Sequence, residues 1–288
     1  MPAKSHGVDL HMHTCYSDGL DTPSQLVQKA AKQGLRSIAI TDHDTVEAFP
    51  EAQEAGQRYA VEVLTGIELS IQYQEYNDIH ILGYLFDPDH ERVLAELRRM
   101  RDCRVQRGLA ILSRVNLRLT QRGQVPLDCE RVLQRARGVL ARPHLARELM
   151  EQGVVRCMEE AFQEFLIPCD VPKARLGPEE AFDLVAQAGG ICSLAHPGKI
   201  SADPKVLELL LSTFKTMGLV GVEVYHHAHY PAYIDFFLTC ARRCGLMVTG
   251  GSDYHGHQNG AVLGHMAPEQ RIPDHVLIEL RKFHAARA

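Results

Sequence analysis

The chain has 288 residues, 45% of them hydrophobic, with 31 basic and 36 acidic side chains and a net charge of −5, which suits one large α/β domain or a domain carrying an insertion and excludes a disordered chain. No run of roughly 18 apolar residues occurs, and Met1-Pro2-Ala3-Lys4-Ser5-His6 lacks the apolar core of a signal peptide, so the expectation is a soluble, cytoplasmic protein off the membrane and with no obligate protein partner. The eight cysteines include no Cys-x-x-Cys pair and are expected to be reduced thiols.

Strand and helix patterns alternate from the start: a strand near 7–11, a helix near 23–33, a strand near 36–41, a helix near 47–59, and strands near 61–67 and 78–86. Such alternation predicts parallel strands joined by helical crossovers. From Asp89 the pattern changes. Val93, Leu94, Leu97, Met100, Val105, Leu109, Leu112, Val115 and Leu119 recur at helical spacing, and no strand pattern intervenes before about Arg175. Residues 89–175 are therefore expected to be an all-helical insertion between two parts of a barrel, 1–88 and 176–288. Beyond it come a helix near 178–188, a strand before His196, a helix near 204–217, a strand near 219–225, a helix near 230–244 and a strand before Gly250. The count is about seven strands, one short of the eight-stranded barrel.

Against this pattern stand six histidines and three carboxylates at predicted strand ends: His11, His13, Asp18, His43, Glu68, His80, His196, Asp253 and His255. In Val8-Asp9-Leu10-His11-Met12-His13 the two imidazoles lie two residues apart, and a strand's period of two points both to one side, where they can grip one ion together. A histidine met singly is more often a core or surface residue; the repeated placement points to a metal site, since parallel α/β folds gather their sites at strand ends. Cys15, between two of these residues, reads as a bystander. Nine ligands exceed what one metal needs and fit three, with Glu68 bridging. Imidazole and carboxylate without thiolate suit zinc, manganese or iron(II) alike. Asp42 and Asp44 flank His43 and are placed either to orient ligands or to cap the next helix. His226, His227 and His229 form a polar cluster expected near the rim, as substrate contacts or as a solvent-exposed loop.

The motifs Asp9-Leu10-His11-Met12-His13, Thr41-Asp42-His43-Asp44, Gly66-Ile67-Glu68, Ala195-His196-Pro197 and Gly251-Ser252-Asp253-Tyr254-His255 resemble those of the PHP phosphoesterases, named for polymerase and histidinol phosphatase. The likeness is greatest to the branch of 3′,5′-nucleotide bisphosphate phosphatases and 5′-to-3′ exoribonucleases, through Ala141-Arg142-Pro143-His144 and Val171-Pro172-Lys173. The resemblance implies a distorted (β/α)7 barrel with a helical insertion acting as a substrate lid. It also implies three divalent ions: His11, His13, Glu68 and Asp253 on one, Glu68, His80 and His196 on a second, and Asp18, His43 and His255 on the third.

Residues 98–147 carry thirteen arginines, no lysine and three acids, a local +10 within a chain of net −5. Most of these arginines are expected to form a solvated face. Arg142 is the one best placed to face the site, because Pro143 stiffens the turn and a helix opens there; His144, Lys173 and Arg175 join it as candidate contacts to a second phosphate or ribose. The reaction expected is hydrolysis of the 3′-phosphate of a nucleoside 3′,5′-bisphosphate, pAp to AMP, by a metal-activated hydroxide. The competing readings are a 5′-to-3′ exonuclease on short 5′-phosphorylated RNA, a histidinol phosphatase, a two-metal amidohydrolase and a non-catalytic PHP binding module.

Overall fold

The structure, a computed structural model, describes residues 7–135, 142–171, 176–257 and 260–287. Strand β1 (Val8–Asp9) leads through helix α1 (Pro23–Lys32) to β2 (Ser37–Ala39), and α2 (Phe49–Tyr59) leads to β3 (Glu62–Leu64); the three strands pair in parallel in the order β1-β2-β3. Helix α1 starts where it does because the Thr22 hydroxyl accepts the Gln25 N–H while the Gln25 side chain accepts the Thr22 N–H, and Pro23 occupies the first turn. Leu26, Val27 and Ala30 then form the face that the sheet buries.

After Leu64 the chain leaves this sheet for a second one. Strand β4 (Gly66–Tyr73) makes a hairpin with β5 (Tyr76–Tyr84), and β5 pairs antiparallel with β6 (Ile191–Leu194), which continues in parallel to β7 (Gly221–Tyr225) and β8 (Met247–Gly250). Two expectations are thereby corrected. Residues 61–67 do not run as one continuous strand but break at Thr65, where the chain bends from one sheet to the other, and the pairings of β5 are antiparallel. The cause is local: only Gln74 and Glu75 separate β4 from β5, Gln74 takes a left-handed φ of 53°, and a two-residue link can only return the chain antiparallel.

The two sheets are stitched at both edges. At one seam Leu10 N–H donates to Gly250 O (3.3 Å), Asp253 N–H to His11 O (2.8 Å) and His13 N–H to Tyr254 O (2.9 Å); at the other Asp44 N–H donates to Glu68 O (2.9 Å) and Glu68 N–H to Asp42 O (3.3 Å). With β3 and β4 taken as one bent strand, the ring is a distorted (β/α)7 barrel.

The chain divides into two compact units, Met1–Leu94 with Leu176–Ala288, and Ala95–Arg175. The second holds most of α3 (Glu91–Gln121), then α4 (Cys129–Arg135), α5 (Arg142–Glu151) and α6 (Met158–Ala161), which runs into a π-helical turn at Phe162–Leu166. Helices are the only regular elements among its described residues, and it has its own core, with Ile111, Val115, Leu119, Leu145, Leu149 and Phe165 buried. In the barrel unit α7 (Pro178–Gln187), α8 (Pro204–Met217) and α9 (Pro231–Cys244) cross between strands, and the chain ends in a β9 (His265–Ala267) and β10 (Gln270–Arg271) hairpin and α10 (His275–Ala285). These elements past Gly250 go beyond the sequence expectation, although Val276, Leu277 and Leu280 are buried at helical spacing. All eight cysteines are free thiols. No helix among the described residues is long and apolar enough to cross a membrane.

Candidate metal centre

All nine sequence-predicted residues meet in the barrel unit. His11 and His13 project together just past β1, and the chain after β8 runs so close to them that a Cβ on Gly251 would collide with His11. That close approach, followed by a left-handed φ of 56° at Asp253, turns the Asp253 carboxylate toward both rings: Oδ1 lies 3.4 Å from His11 Nε2 and 3.3 Å from His13 Nε2. Glu68 and His80 do not stand at strand ends. They sit inside β4 and β5, where Glu68 pairs with Leu82 and His80 with Ser70, so the two are diagonal neighbours on one face of the hairpin.

Glu68 is the hub. Its Oε2 lies 3.4 Å from His11 Nε2, 3.2 Å from His13 Nε2 and 3.1 Å from His43 Nδ1; its Oε1 lies 3.0 Å from His80 Nδ1 and 3.1 Å from His196 Nε2. Asp18 closes the outer side, 3.6 Å from His43 Nε2 and 3.3 Å from His255 Nε2. Glu68, His11 and His13 are fully buried, yet His11 Nε2, both nitrogens of His13, His43 Nδ1 and Glu68 Oε2 make no hydrogen bond. Buried polar atoms without partners are costly, about 1–3 kcal/mol each. Their convergence within ion-pair distance of one carboxylate is the arrangement that cations would satisfy, so the donor set fits divalent metal.

Electrostatics show what a cation would displace. Burial opposes ionisation of Glu68, but the surrounding His43, His11 and His80 hold its carboxylate well below the usual range. Burial likewise disfavours charge on His13, but Asp253 and Glu68 outweigh it and raise its pKa to about 10; His11 is raised too, against burial, by Glu223, Glu68 and Asp253. Metal binding must therefore displace the protons that these carboxylates favour on both imidazoles. Metal loading of the stripped protein is therefore expected to release protons and to tighten as pH rises from 7 toward 10. Calorimetric titration with manganese in buffers of different ionisation enthalpy measures this; a heat independent of buffer would refute it.

Around the nine lies a layer that sequence reading largely missed. Glu223, fully buried on β7, takes a hydrogen bond from His11 Nδ1 (2.9 Å) and from the His196 amide (2.8 Å). It thereby leaves His11 Nε2 to face the centre. Burial alone would raise its pKa, but His11 and His226 bring it down to about 2. Asp9 accepts from the Ser252 amide and hydroxyl and the Gly264 amide, fixing the turn that carries Asp253. Charged residues in the otherwise apolar runs Val8-Asp9-Leu10 and Gly221-Val222-Glu223-Val224 were the available signal. Asp42 accepts from the Thr14 amide and hydroxyl and from Ser17, and Asp44 from the Ser70 amide. Neither caps α2, whose N-cap is Ala48, so of the two readings it is the positioning one that fits.

The solvent-exposed reading of the His226–His229 loop holds only for His227. His226 and His229 are buried. The Ala228 amide donates to His226 Nδ1 (3.0 Å), which puts the ring proton on Nε2, 3.3 Å from Asp253 Oδ2. His226 therefore supports Asp253 rather than ligating. Of the expected substrate contacts, Arg142 lies at the start of α5, pairs with Asp170 (3.3 Å) and sits over the Phe162 ring (5.6 Å), all inside the helical unit. His144 is on the same helix. Lys173 and Arg175 lie outside the described residues.

A family model, the PHP domain, matches residues 9–135. The chain is 30% identical over 265 residues to a 3′,5′-nucleoside bisphosphate phosphatase of Chromobacterium violaceum, covering 90% of each chain. It is 33% identical over 253 residues to the 5′-3′ exoribonuclease Rnm of Salmonella typhimurium, covering 86% of this chain and 84% of that one. Among solved structures, a candidate metal-dependent phosphoesterase from Bifidobacterium adolescentis superposes with a TM-score of 0.78 at 30% identity, over 100% of this chain and 98% of the other.

Proposed function

This chain belongs to the PHP family and is a metal-dependent phosphoesterase; we propose that it removes the 3′-phosphate of nucleoside 3′,5′-bisphosphates, converting pAp to AMP and phosphate. The observation that carries the reading is the set of unpartnered buried nitrogens and oxygen around Glu68, a donor set large enough for three ions of manganese, iron or zinc. His11, His13, Glu68 and Asp253 would hold one, Glu68, His80 and His196 a second, and Asp18, His43 and His255 the third. Divalent ions bound there supply Lewis acidity toward phosphoryl oxygens and a lowered pKa for coordinated water.

The residues of the chain do the rest. Glu68 keeps the imidazoles on a common centre, Glu223 and Asp9 hold His11 and the Asp253 turn in place, and burial of His11, His13 and Glu68 shields the inner side of the cluster. As substrate-choosing residues we propose Arg142, His144, Lys173 and Arg175, whose side chains would grip the second phosphate. On this reading Arg142→Ala lowers kcat/KM for pAp by about ten- to a hundredfold, the worth of one charge-assisted contact, and leaves an aryl phosphate nearly unchanged; equal losses on both would remove Arg142 from substrate choice.

The second reading, 5′-to-3′ exonuclease action on short RNA, is favoured by the local excess of +10 over residues 98–147, which suits a polyanion. Phosphate and nucleotide release from pAp, 5′-phosphorylated dinucleotides and histidinol phosphate by the metal-loaded protein decides among them. Fastest turnover of the dinucleotides would displace pAp.

A further inference from the structure

We propose that Lys199 is a substrate-contacting residue, its ammonium holding a non-bridging oxygen of the reacting phosphoryl group beside Asp253. The inference rests on the phosphoesterase reading above and adds to it a cationic side chain supplied by the barrel itself. Lys199 Nζ lies 2.7 Å from Asp253 Oδ2. The other oxygen of that carboxylate faces His11 and His13. Asp253 thus divides its two oxygens, one toward the candidate cation site and one toward Lys199 and the His226 Nε2–H.

The turn that carries Lys199 is built for position. His196 has a left-handed φ of 26°, an uncommon conformation for a residue with a Cβ, and Pro197–Lys199 form a single 3-10 turn directly after it. The Gly198 amide donates to His229 Nε2 (3.2 Å), and a Cβ at Gly198 would come within 2.8 Å of that ring, so the buried His229 seats the turn from below. Asp253, at the other end of the ion pair, has the left-handed φ noted above. Backbone held off its ordinary conformations at His196, which starts the turn carrying Lys199, and at Asp253 is the pattern found where a site is preorganised. A surface ion pair of ordinary kind needs neither turn.

Exposure separates this lysine from a structural one. Its side chain is 44% exposed while Asp253 is 8% exposed. An ammonium offers three N–H donors in a rotatable head. One is taken by Asp253; the solvent side leaves the others to an incoming anion. A cation held by His11, His13 and Asp253 would draw on the charge of the Asp253 carboxylate and loosen its hold on Lys199, leaving the ammonium to attract a phosphate oxygen bound beside it.

The test uses the full chain loaded with manganese and three variants, Lys199→Gln, Lys199→Ala and Lys199→Arg. Equilibrium binding of inorganic phosphate is measured by calorimetry, metal content by elemental analysis, and kcat and KM on pAp and an aryl phosphate. Lys199→Gln and Lys199→Ala are expected to keep the wild-type metal content and weaken phosphate binding by about ten- to a hundredfold. They should also lower kcat/KM on both substrates by a similar factor, because the contact is to the phosphate that both share. Lys199→Arg should restore most of the phosphate affinity. Loss of metal from Lys199→Gln would make the lysine a mere support for Asp253, and unchanged phosphate affinity would make it a surface ion pair; either overturns the proposal. If the loaded protein hydrolyses the aryl phosphate and binds phosphate in a Lys199-dependent way but leaves pAp intact, the Lys199 contact stands and the bisphosphate reading falls.

Discussion

Glu68→Gln is expected to leave a folded protein whose phosphate release falls by about three orders of magnitude or more, because it removes the carboxylate proposed to be shared among the metal ions. The substitution preserves the size of the side chain, so packing in β4 is retained, but the charge is lost where it matters most. Five imidazoles, those of His11, His13, His43, His80 and His196, lie within 3.0–3.4 Å of this one carboxylate. A neutral amide also presents N–H donors to nitrogens that need to remain lone-pair donors to metal. Elemental analysis should show the loss in step with activity: the wild-type chain holds more than one transition metal, and Glu68→Gln holds fewer. His11→Ala, which deletes one proposed ligand and leaves Glu223 Oε1 without its imidazole partner, should act in the same direction. One tightly bound ion per wild-type chain with full activity would sink the trinuclear arrangement. Retention of activity within tenfold in Glu68→Gln would sink the bridging role alone.

What the sequence revealed of this centre and what it concealed have separate causes. His11 and His13 were legible because their spacing matches the strand period, and the motifs around His43, His196 and Asp253 stood beside apolar runs with turn residues after them. Glu68 is placed at a strand end by the sequence, since Gln74-Glu75 is not among the dipeptides that mark a tight hairpin, and without that turn the strands near 61–67 and 78–86 give no sign of antiparallel pairing. Glu223 and Asp9 stayed hidden for a different reason. A carboxylate inside a strand is ambiguous until its partners are known, and those partners, the His196 amide and the Ser252 and Gly264 groups, are 27 to 255 residues away in the chain. Lys199 was overlooked because one lysine in a loop carries no periodic signal. Its meaning comes from the distance to Asp253.

Hydrolysis of pAp in oxygen-18 water is expected to put one labelled oxygen into phosphate and none into AMP, while adenosine 3′-monophosphate turns over with kcat/KM about a hundredfold lower. The first result follows from attack at phosphorus: the incoming oxygen remains on phosphorus, and the ribose oxygen leaves with the nucleoside carrying its original atom. Cleavage of the carbon–oxygen bond instead would label AMP, and a cationic cluster around Glu68 gives no means of activating carbon. The second result follows from where binding energy is used. The 5′-phosphate does not react, so its contacts raise the rate only by fixing the 3′-ester against the cluster, and one or two charge-assisted contacts are worth about a hundredfold. If such contacts position the ester, the loss should fall mainly on kcat; if they only improve capture, it should fall on KM. The Lys199 contact is to the reacting phosphate itself, so Lys199→Gln should slow pAp and adenosine 3′-monophosphate by the same factor, whereas Arg142→Ala should slow pAp alone. Equal turnover of the two nucleotides in the wild-type protein, or label recovered in AMP, would remove the bisphosphate reading and leave the short-RNA exonuclease as the function to test next.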